Sequence, residues 1–331
     1  MPAQSLAAKV AYLSRTDSYA ERPSGVTALE THMSWVFLTD SHAYKLKKPV
    51  RYDFLDFSTL AARRRDCELE VTLNRRLAGD VYLGVVALTM NQAGRLQLDG
   101  AAEVVDWLVK MRRLPDACRL DLMIADHALK ADDLRRALTK LSVFYRDAPA
   151  VAVDAASYDR HYQDDIRAAM GDLLIPAVGR ARHVKRLAAF LMDFLHEHAR
   201  LFKERRIIEA HGDLRPEHIF LLSEPLIIDC LEFNRAFRLL DPAEELSFLA
   251  MECDLIGAPE VGTSAFDIYA EITGDRPPPS LIAFYKSFRA FLRARIAICH
   301  LKDEYVRLPE KWPRQAKAYL DLAENYRLAA P

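Results

Sequence analysis

The chain changes texture at Pro115: short apolar alternations fill residues 26–115, and long amphipathic repeats fill most of the rest up to 331. Alternation with period two places every second side chain on one face of a strand, whereas apolar residues three and four apart mark a helix. VTALE, WVFLT and AYKLK read as three short strands, the last two separated by the turn residues DSH. FSTLAARRRDCELEVTLNRRLA then carries Leu60, Leu69, Leu73 and Leu77 near helical spacing, with Ser58 as the expected N-cap. VYLGVVALTM, RLQLD and EVVDWLVKMRRL return to β texture. An antiparallel sheet carrying one helix is therefore expected over 26–115, preceded by a helical extension over 1–25 with its short helix at 4–13. A mainly helical domain is expected over 116–331, so the fold class is α+β, in two lobes.

In the second part ADDLRRALTKLSVFYRDA, SYDRHYQDDIRAAMGDLL and VKRLAAFLMDFLHEHARLFKERR are the clearest helices, the last read as one long element. DPAEELSFLAMECD, SAFDIYAEI, SLIAFYKSFRAFLRARIAICHLKDEY and a last helix over 312–327 follow. GDRPPPS, residues 274–280, is an inter-helix loop by its proline and glycine content. One β-like interlude, HIFLLSEPLIIDCLEF, interrupts the helices, with SEP as its turn.

Composition narrows the function. Lys plus Arg (46) and Asp plus Glu (47) nearly cancel, so no overall field favours nucleic acid or an anionic membrane surface. Five scattered cysteines, without a CxxC pair, point to reduced thiols and a cytoplasmic protein. No apolar run reaches the roughly 18 residues of a membrane span, and no export signal is expected. HEH at 196–198 is not a metal pair, because residues two apart on a helix diverge. The basic runs RRR (63–65) and RAFLRAR (289–295) are expected to form solvated faces or salt bridges.

The interlude carries the chemistry. Asp213 precedes its first strand, in HGDLRPEHIFL, and Asp229 ends its second, in LIIDCLEF. A hairpin would bring both to one edge. Moving a phosphoryl group needs an acceptor hydroxyl held in line, a cation on the phosphates and compensating positive charge. In that reading Asp213 orients or deprotonates the acceptor hydroxyl and Asp229 ligates Mg²⁺, a hard cation that prefers oxygen.

These two segments resemble the catalytic and metal-binding segments of the aminoglycoside phosphotransferase family, part of the protein-kinase-like fold. DPAEELSFL is similar to that family's Asp-Pro-x-x-Asp-Leu-Ala helix start, with Glu245 where an aspartate is usual. ETHMSWVFLTDSHAYKLKKPV, FLDFSTLAARRRDCELEVTLNRRL and FYKSFRAFLRARIA resemble a bacterial subgroup whose phosphotransferase domain is often fused to a P-loop ATPase. No GxxxxGK[ST] occurs in these residues, so the expectation is a phosphotransferase domain without that module. The resemblance covers most of 20–305 and is thinnest over 150–205.

It implies ATP or another nucleoside triphosphate, Mg²⁺ with Mn²⁺ as the alternative, and a small-molecule hydroxyl acceptor. His211 supports the loop through hydrogen bonds, and Arg215 resembles the basic residue that protein kinases direct at the transferring phosphate. Ser34 is the candidate phosphate contact in the loop THMS. Lys45 fits the Ala-x-Lys spacing, with Ala43 under the adenine; Lys47, on the same strand face, is the alternative. Glu70, three and seven residues before Leu73 and Leu77, is the expected partner of that lysine, with Glu68 as the alternative. Met111, Arg112 and Arg113 are expected to offer main-chain hydrogen bonds to the adenine.

His218 is the departure, since the resembled pattern has asparagine there. Imidazole nitrogen suits Zn²⁺ or Mn²⁺ better than Mg²⁺, and Glu217 or Glu232 are the substitute oxygen donors. The readings left open are a small-molecule phosphotransferase, a protein Ser/Thr kinase-like enzyme, and a nucleotide-binding scaffold with little catalysis. Against the second stands the lack of a DFG and APE pair.

Overall fold

The computed structural model describes residues 5–302 and 308–329, with 155–157 described by their backbone alone. The first residue of the helix expected from 4, and residues 303–305 expected to end the helix from 280, lie outside the described residues. The fold is mixed α and β and divides into two compact units. The first runs to Arg119 and also takes in His218–Phe237; the second holds Leu120–Glu217 and the residues from Arg238 onward. The β interlude expected within a continuous 116–331 domain thus groups with the residues before 120.

The first unit is built on a sheet of β1 (Thr27–Glu30), β2 (Ser34–Leu38), β3 (His42–Lys47), the small hairpin β4 (Arg51–Tyr52) and β5 (Leu55–Asp56), β6 (Tyr82–Met90), β7 (Leu96–Leu98) and β8 (Glu103–Arg112). Six of these form one antiparallel sheet in the order β1-β2-β3-β8-β6-β7, and β4 pairs with β5 alone. β3 therefore lies inside the sheet between β2 and β8, so neither of its lysines guards an edge.

Period two sorts the two faces. Ala43, Val109 and Met111 meet Cys67 and Val71 of helix α2 (Leu60–Ala78), while Tyr44, Leu46 and Leu108 meet Leu13 of α1 (Leu6–Leu13). α2 is capped by Thr59, whose side chain accepts from the Ala62 N–H at 3.1 Å, one residue after the expected cap. Ser58 instead turns back to Asp56, with its N–H 2.9 Å from the carboxylate. Arg63 corrects the solvated-face alternative for RRR: it is buried and donates to Asp106 at 2.7 Å and to the Phe57 carbonyl at 2.8 Å. The expected hairpin closes with Ile219 opposite Ile227 and Phe220 opposite Leu226.

The second unit is helical: α3 (Leu120–Ala125), α4 (Ala131–Asp147), α5 (Ala155–Leu173), α6 (Ala181–Glu197), α7 (Ala199–Lys203), α8 (Pro242–Leu255), α9 (Pro259–Thr273), α10 (Pro279–Cys299) and α11 (Lys311–Ala329). The long helix expected over 184–206 is interrupted at His198, whose φ of −114° and ψ of 25° leave the helical region. Leu187 and Leu191 of α6, Phe284 and Phe288 of α10 and Leu320 of α11 share one core with Tyr162. Each such side chain contributes roughly 1.5–3 kcal/mol by leaving water. α8 is buried from Pro242 to Cys253, so its glutamates must find partners inside the protein. Among the described residues no helix is long and apolar enough to cross a membrane.

Candidate active site

In the first unit two lysines of β3 share one acid of α2. Lys45 Nζ lies 2.9 Å from Glu70 Oε1, and Lys47 Nζ lies 2.7 Å from Glu70 Oε2. The spacing that put Glu70 on the inward face is correct: it is fully buried, while Glu68 is exposed and pairs with Arg64 at 2.9 Å. Lys45 also reaches Asp229 Oδ1 at 2.8 Å. Lys47, fully buried, reaches Asp66 at 2.6 Å and donates to Glu232. Its ammonium thus faces three carboxylates, donating hydrogen bonds to Glu70 and Glu232 and ion-paired with Asp66.

Burial works against both charged amines, yet Asp229 and Glu70 around Lys45, and Glu232, Glu70 and Asp66 around Lys47, raise both well above the ordinary lysine value. Burial also opposes ionisation of Glu70, and the two lysines overcome it, holding its carboxyl below the ordinary value. Glu232 goes the other way: burial pushes it up to about 7, with Lys47 opposing the rise and Glu70 adding to it.

Asp229 follows the hairpin in a left-handed conformation, φ 61°, which is uncommon for any residue but glycine. Its N–H donates to the Tyr82 hydroxyl at 3.1 Å. The next N–H, of Cys230, donates to Asn74 Oδ1 at 2.8 Å, and the Asn74 amide donates to the Glu70 carbonyl at 2.9 Å. Arg76 donates to the Cys230 sulfur at 3.2 Å. β6 and α2 therefore fix the peptides on both sides of Asp229. His218 is buried, its carbonyl accepts from Ile228 at 2.9 Å, and its Nε2 stands 3.6 Å from Asp229 Oδ2.

The remaining nucleotide-side candidates lie on the same sheet or one residue past it. Ser34 opens β2, buried, with its N–H on Thr31 Oγ1 at 3.0 Å. Met111 pairs with Ala43 on one side and Tyr82 on the other. Arg113 uses its backbone N–H on the Ser41 carbonyl at 2.9 Å and its guanidinium on the Thr39 carbonyl at 2.7 Å.

Asp213 belongs to the second unit, where Glu245 organises the His-Gly-Asp turn. Glu245 accepts from the His211 N–H at 3.1 Å, the Gly212 N–H at 2.5 Å and the Tyr145 hydroxyl at 2.7 Å. Gly212 has φ 89°, a conformation that favours glycine. His211 is fully buried and its Nδ1 accepts from the Asp213 N–H at 3.3 Å, a supporting bond of the expected kind. Arg215 pairs with Glu217. Nearby charge is held on α8 and α10: Arg293 lies 3.0 Å from Glu252, whose carboxyl also accepts from the Tyr319 hydroxyl at 3.0 Å. Burial raises the Glu252 carboxyl above its ordinary value, with Arg293 and Arg215 opposing the rise.

The sequence offered no role for Asp66, Tyr82, Asn74 or Glu252; it offered Lys47 only as the alternative to Lys45, Glu232 only as a substitute oxygen donor, and Arg293 only as part of a basic run forming solvated faces or salt bridges. Asn74 had a signal, since it stands four residues after Glu70 on the same face of α2. Tyr82 had none beyond its place in a strand, whereas the salt-bridge alternative for RAFLRAR anticipated a partner for Arg293 without naming it.

The backbone resembles solved structures of small-molecule kinases. A choline/ethanolamine kinase family protein from Mesorhizobium loti superposes with TM-score 0.56 at 14% identity, over 96% of this chain and 97% of that one. The choline kinase of Cryptosporidium parvum gives 0.53 at 8% identity, over 97% and 94%. A thermostable mutant of an aminoglycoside phosphotransferase gives 0.52 at 11% identity, over 91% and 94%. The chain has the protein-kinase-like fold. Within that fold its sequence is 33% identical over 287 residues to uncharacterized proteins of Mycobacterium bovis and Mycobacterium tuberculosis, covering 81% of this chain and 53% of theirs. It thus spans about half the length of the curated relatives it matches. No family model matches the chain.

Proposed function

We propose that this kinase-like chain is an ATP-dependent phosphotransferase that moves the γ-phosphate to a hydroxyl of a small molecule. The observation that carries the reading is the Lys45 ammonium held between Glu70 and Asp229, an oriented cation beside an acid that can ligate a metal. Lys45 and Ser34 contact the phosphates, Glu70 orients that lysine, and main-chain groups near Met111 and Arg113, other than the Arg113 N–H given to Ser41, contact the adenine. Asp213 takes or orients the proton of the acceptor hydroxyl. His211 and Glu245 hold that aspartate's turn, and Arg215 offers positive charge to the transferring group.

The donor set suits Mg²⁺ in part. Among the described residues no group of three or more His, Cys, Asp or Glu side chains is arranged to hold a metal, so protein donors alone make no cage. Mg²⁺ commonly needs only one or two carboxylates, taking its remaining oxygens from phosphates and water. The partly exposed Asp229 would hold it, with His218 beside that carboxylate. When bound, the cation neutralises charge on the phosphates.

The named kinases of this fold act on choline, ethanolamine or aminoglycosides, and they motivate amino alcohols and amino sugars as the first acceptors to try. Labelled phosphate from [γ-³²P]ATP should pass to one member of such a panel in Mg²⁺ or Mn²⁺. Label on protein side chains instead would favour a protein kinase. His218 beside Asp229 supports one second reading, a nucleotide-binding scaffold. Nucleotide binding without turnover in either metal would favour it.

A further inference from the structure

Two lysines on one strand face, both bound to Glu70, invite the question of why the site carries a second one. Their surroundings differ. Lys45 retains some exposure at 15%, and its second partner, Asp229, is 44% exposed. Lys47 is fully buried and its partners Glu70, Glu232 and Asp66 are 0%, 7% and 11% exposed. A ligand can therefore displace the Lys45–Asp229 contact, whereas the contacts of Lys47 are sealed inside the first unit.

Asp229 sits at φ 61°. A left-handed non-glycine residue persists where its surroundings over-determine it. On one side its own N–H meets Tyr82 and the next N–H meets Asn74. Three residues later the Glu232 side chain returns to Lys47 and thereby to α2 through Asp66 and Glu70. We propose that Lys47 and Glu232 are a positioning pair that holds the Asp229 loop in place, so that Lys45 can exchange Asp229 for nucleotide phosphates without the loop moving. One lysine is exchangeable and the other permanent. This rests on the phosphotransferase reading and adds to it a role for two residues that touch no reacting atom.

The test is a Mg²⁺ titration of the whole chain with adenylyl imidodiphosphate, a non-hydrolysable ATP analogue, followed by calorimetry. Glu232→Ala should raise the Mg²⁺ midpoint at least about tenfold, equivalent to one decade of affinity, while analogue affinity at saturating Mg²⁺ stays within about twofold of wild type. Glu232→Gln, whose amide oxygen still accepts from Lys47, should stay within about threefold of wild type. If the alanine variant does not fold, Glu232→Asp, which retracts the oxygens by one methylene, should show the midpoint shift. Equal midpoints for wild type, Ala and Asp, or equal shifts for Ala and Gln, would overturn the positioning role. A wild-type protein that binds the analogue in no metal would remove the phosphotransferase reading and this pair with it.

Discussion

Removing the Glu70 carboxylate separates a structural ion cluster from an ornamental one. In Glu70→Ala two charge-assisted bonds of 2.9 and 2.7 Å vanish from a fully buried site, and both amines stay behind. Lys45 keeps Asp229, and Lys47 keeps Asp66 and Glu232, so neither is wholly orphaned. Breaking a buried ion pair from one side costs about 3–5 kcal/mol, and that is the expected loss of unfolding free energy. Glu70→Gln should recover little, because its single oxygen serves one lysine while its NH₂ faces the other. Glu68→Ala, two residues away, removes only an exposed i,i+4 pair with Arg64 and should cost under about 0.5 kcal/mol. Urea unfolding followed by tryptophan fluorescence measures this, with Trp35 and Trp107 in the first unit and Trp312 in the second. A Glu70→Ala loss below about 1 kcal/mol, or one equal to that of Glu68→Ala, would show that the buried cluster does not hold the first unit together.

Further expectations follow from the same contacts. Glu245→Ala leaves the buried His211 and Gly212 N–H groups and the Tyr145 hydroxyl without their carboxylate and should cost about 3 kcal/mol or more in urea unfolding, at about 1–3 kcal/mol per orphaned donor. Glu232 binds its proton more tightly when folded, near about 7, than at the ordinary 4.5, so the stabilisation it gives is complete below pH 4.5 and lost as pH rises through 7. Wild-type stability relative to Glu232→Gln should therefore fall across that window by up to about 3 kcal/mol, since each tenfold change in proton affinity is worth about 1.4 kcal/mol; a flat difference from pH 4 to 8 would refute it. His218→Asn should improve Mg²⁺-supported nucleotide binding relative to Mn²⁺, measured by calorimetry in each metal, because an amide oxygen suits the harder cation.

Much of this site could be read in one dimension, and the parts that could not have identifiable causes. Period two put Lys45 and Lys47 on one face, and helical spacing separated Glu70 from Glu68, because both are local geometric rules. Depth is not local: Lys47 is sealed only because Asp66, Glu70 and Glu232 close around it from a helix and a loop far apart in sequence. The hairpin over 219–227 was legible from its apolar runs and SEP turn, but its grouping with residues before 120 depends on tertiary packing. Helical periodicity continues through His198, so the break there has no signal in the pattern. Arg63 stands in a run of three arginines that composition cannot tell apart; its burial against Asp106 depends on where β8 places that acid. The left-handed Asp229 is silent in the sequence because aspartate enters that region only occasionally and no local pattern marks where.

The most direct measurement compares Asp213→Ala and Asp229→Ala in a labelled-phosphate transfer assay, with nucleotide affinity determined alongside. Asp213→Ala should turn over about 10²- to 10⁴-fold more slowly while binding nucleotide as wild type does, the signature of a lost positioned base, and Asp229→Ala should lose metal-dependent nucleotide binding. Two variants as active as wild type would contradict the roles given to both carboxylates.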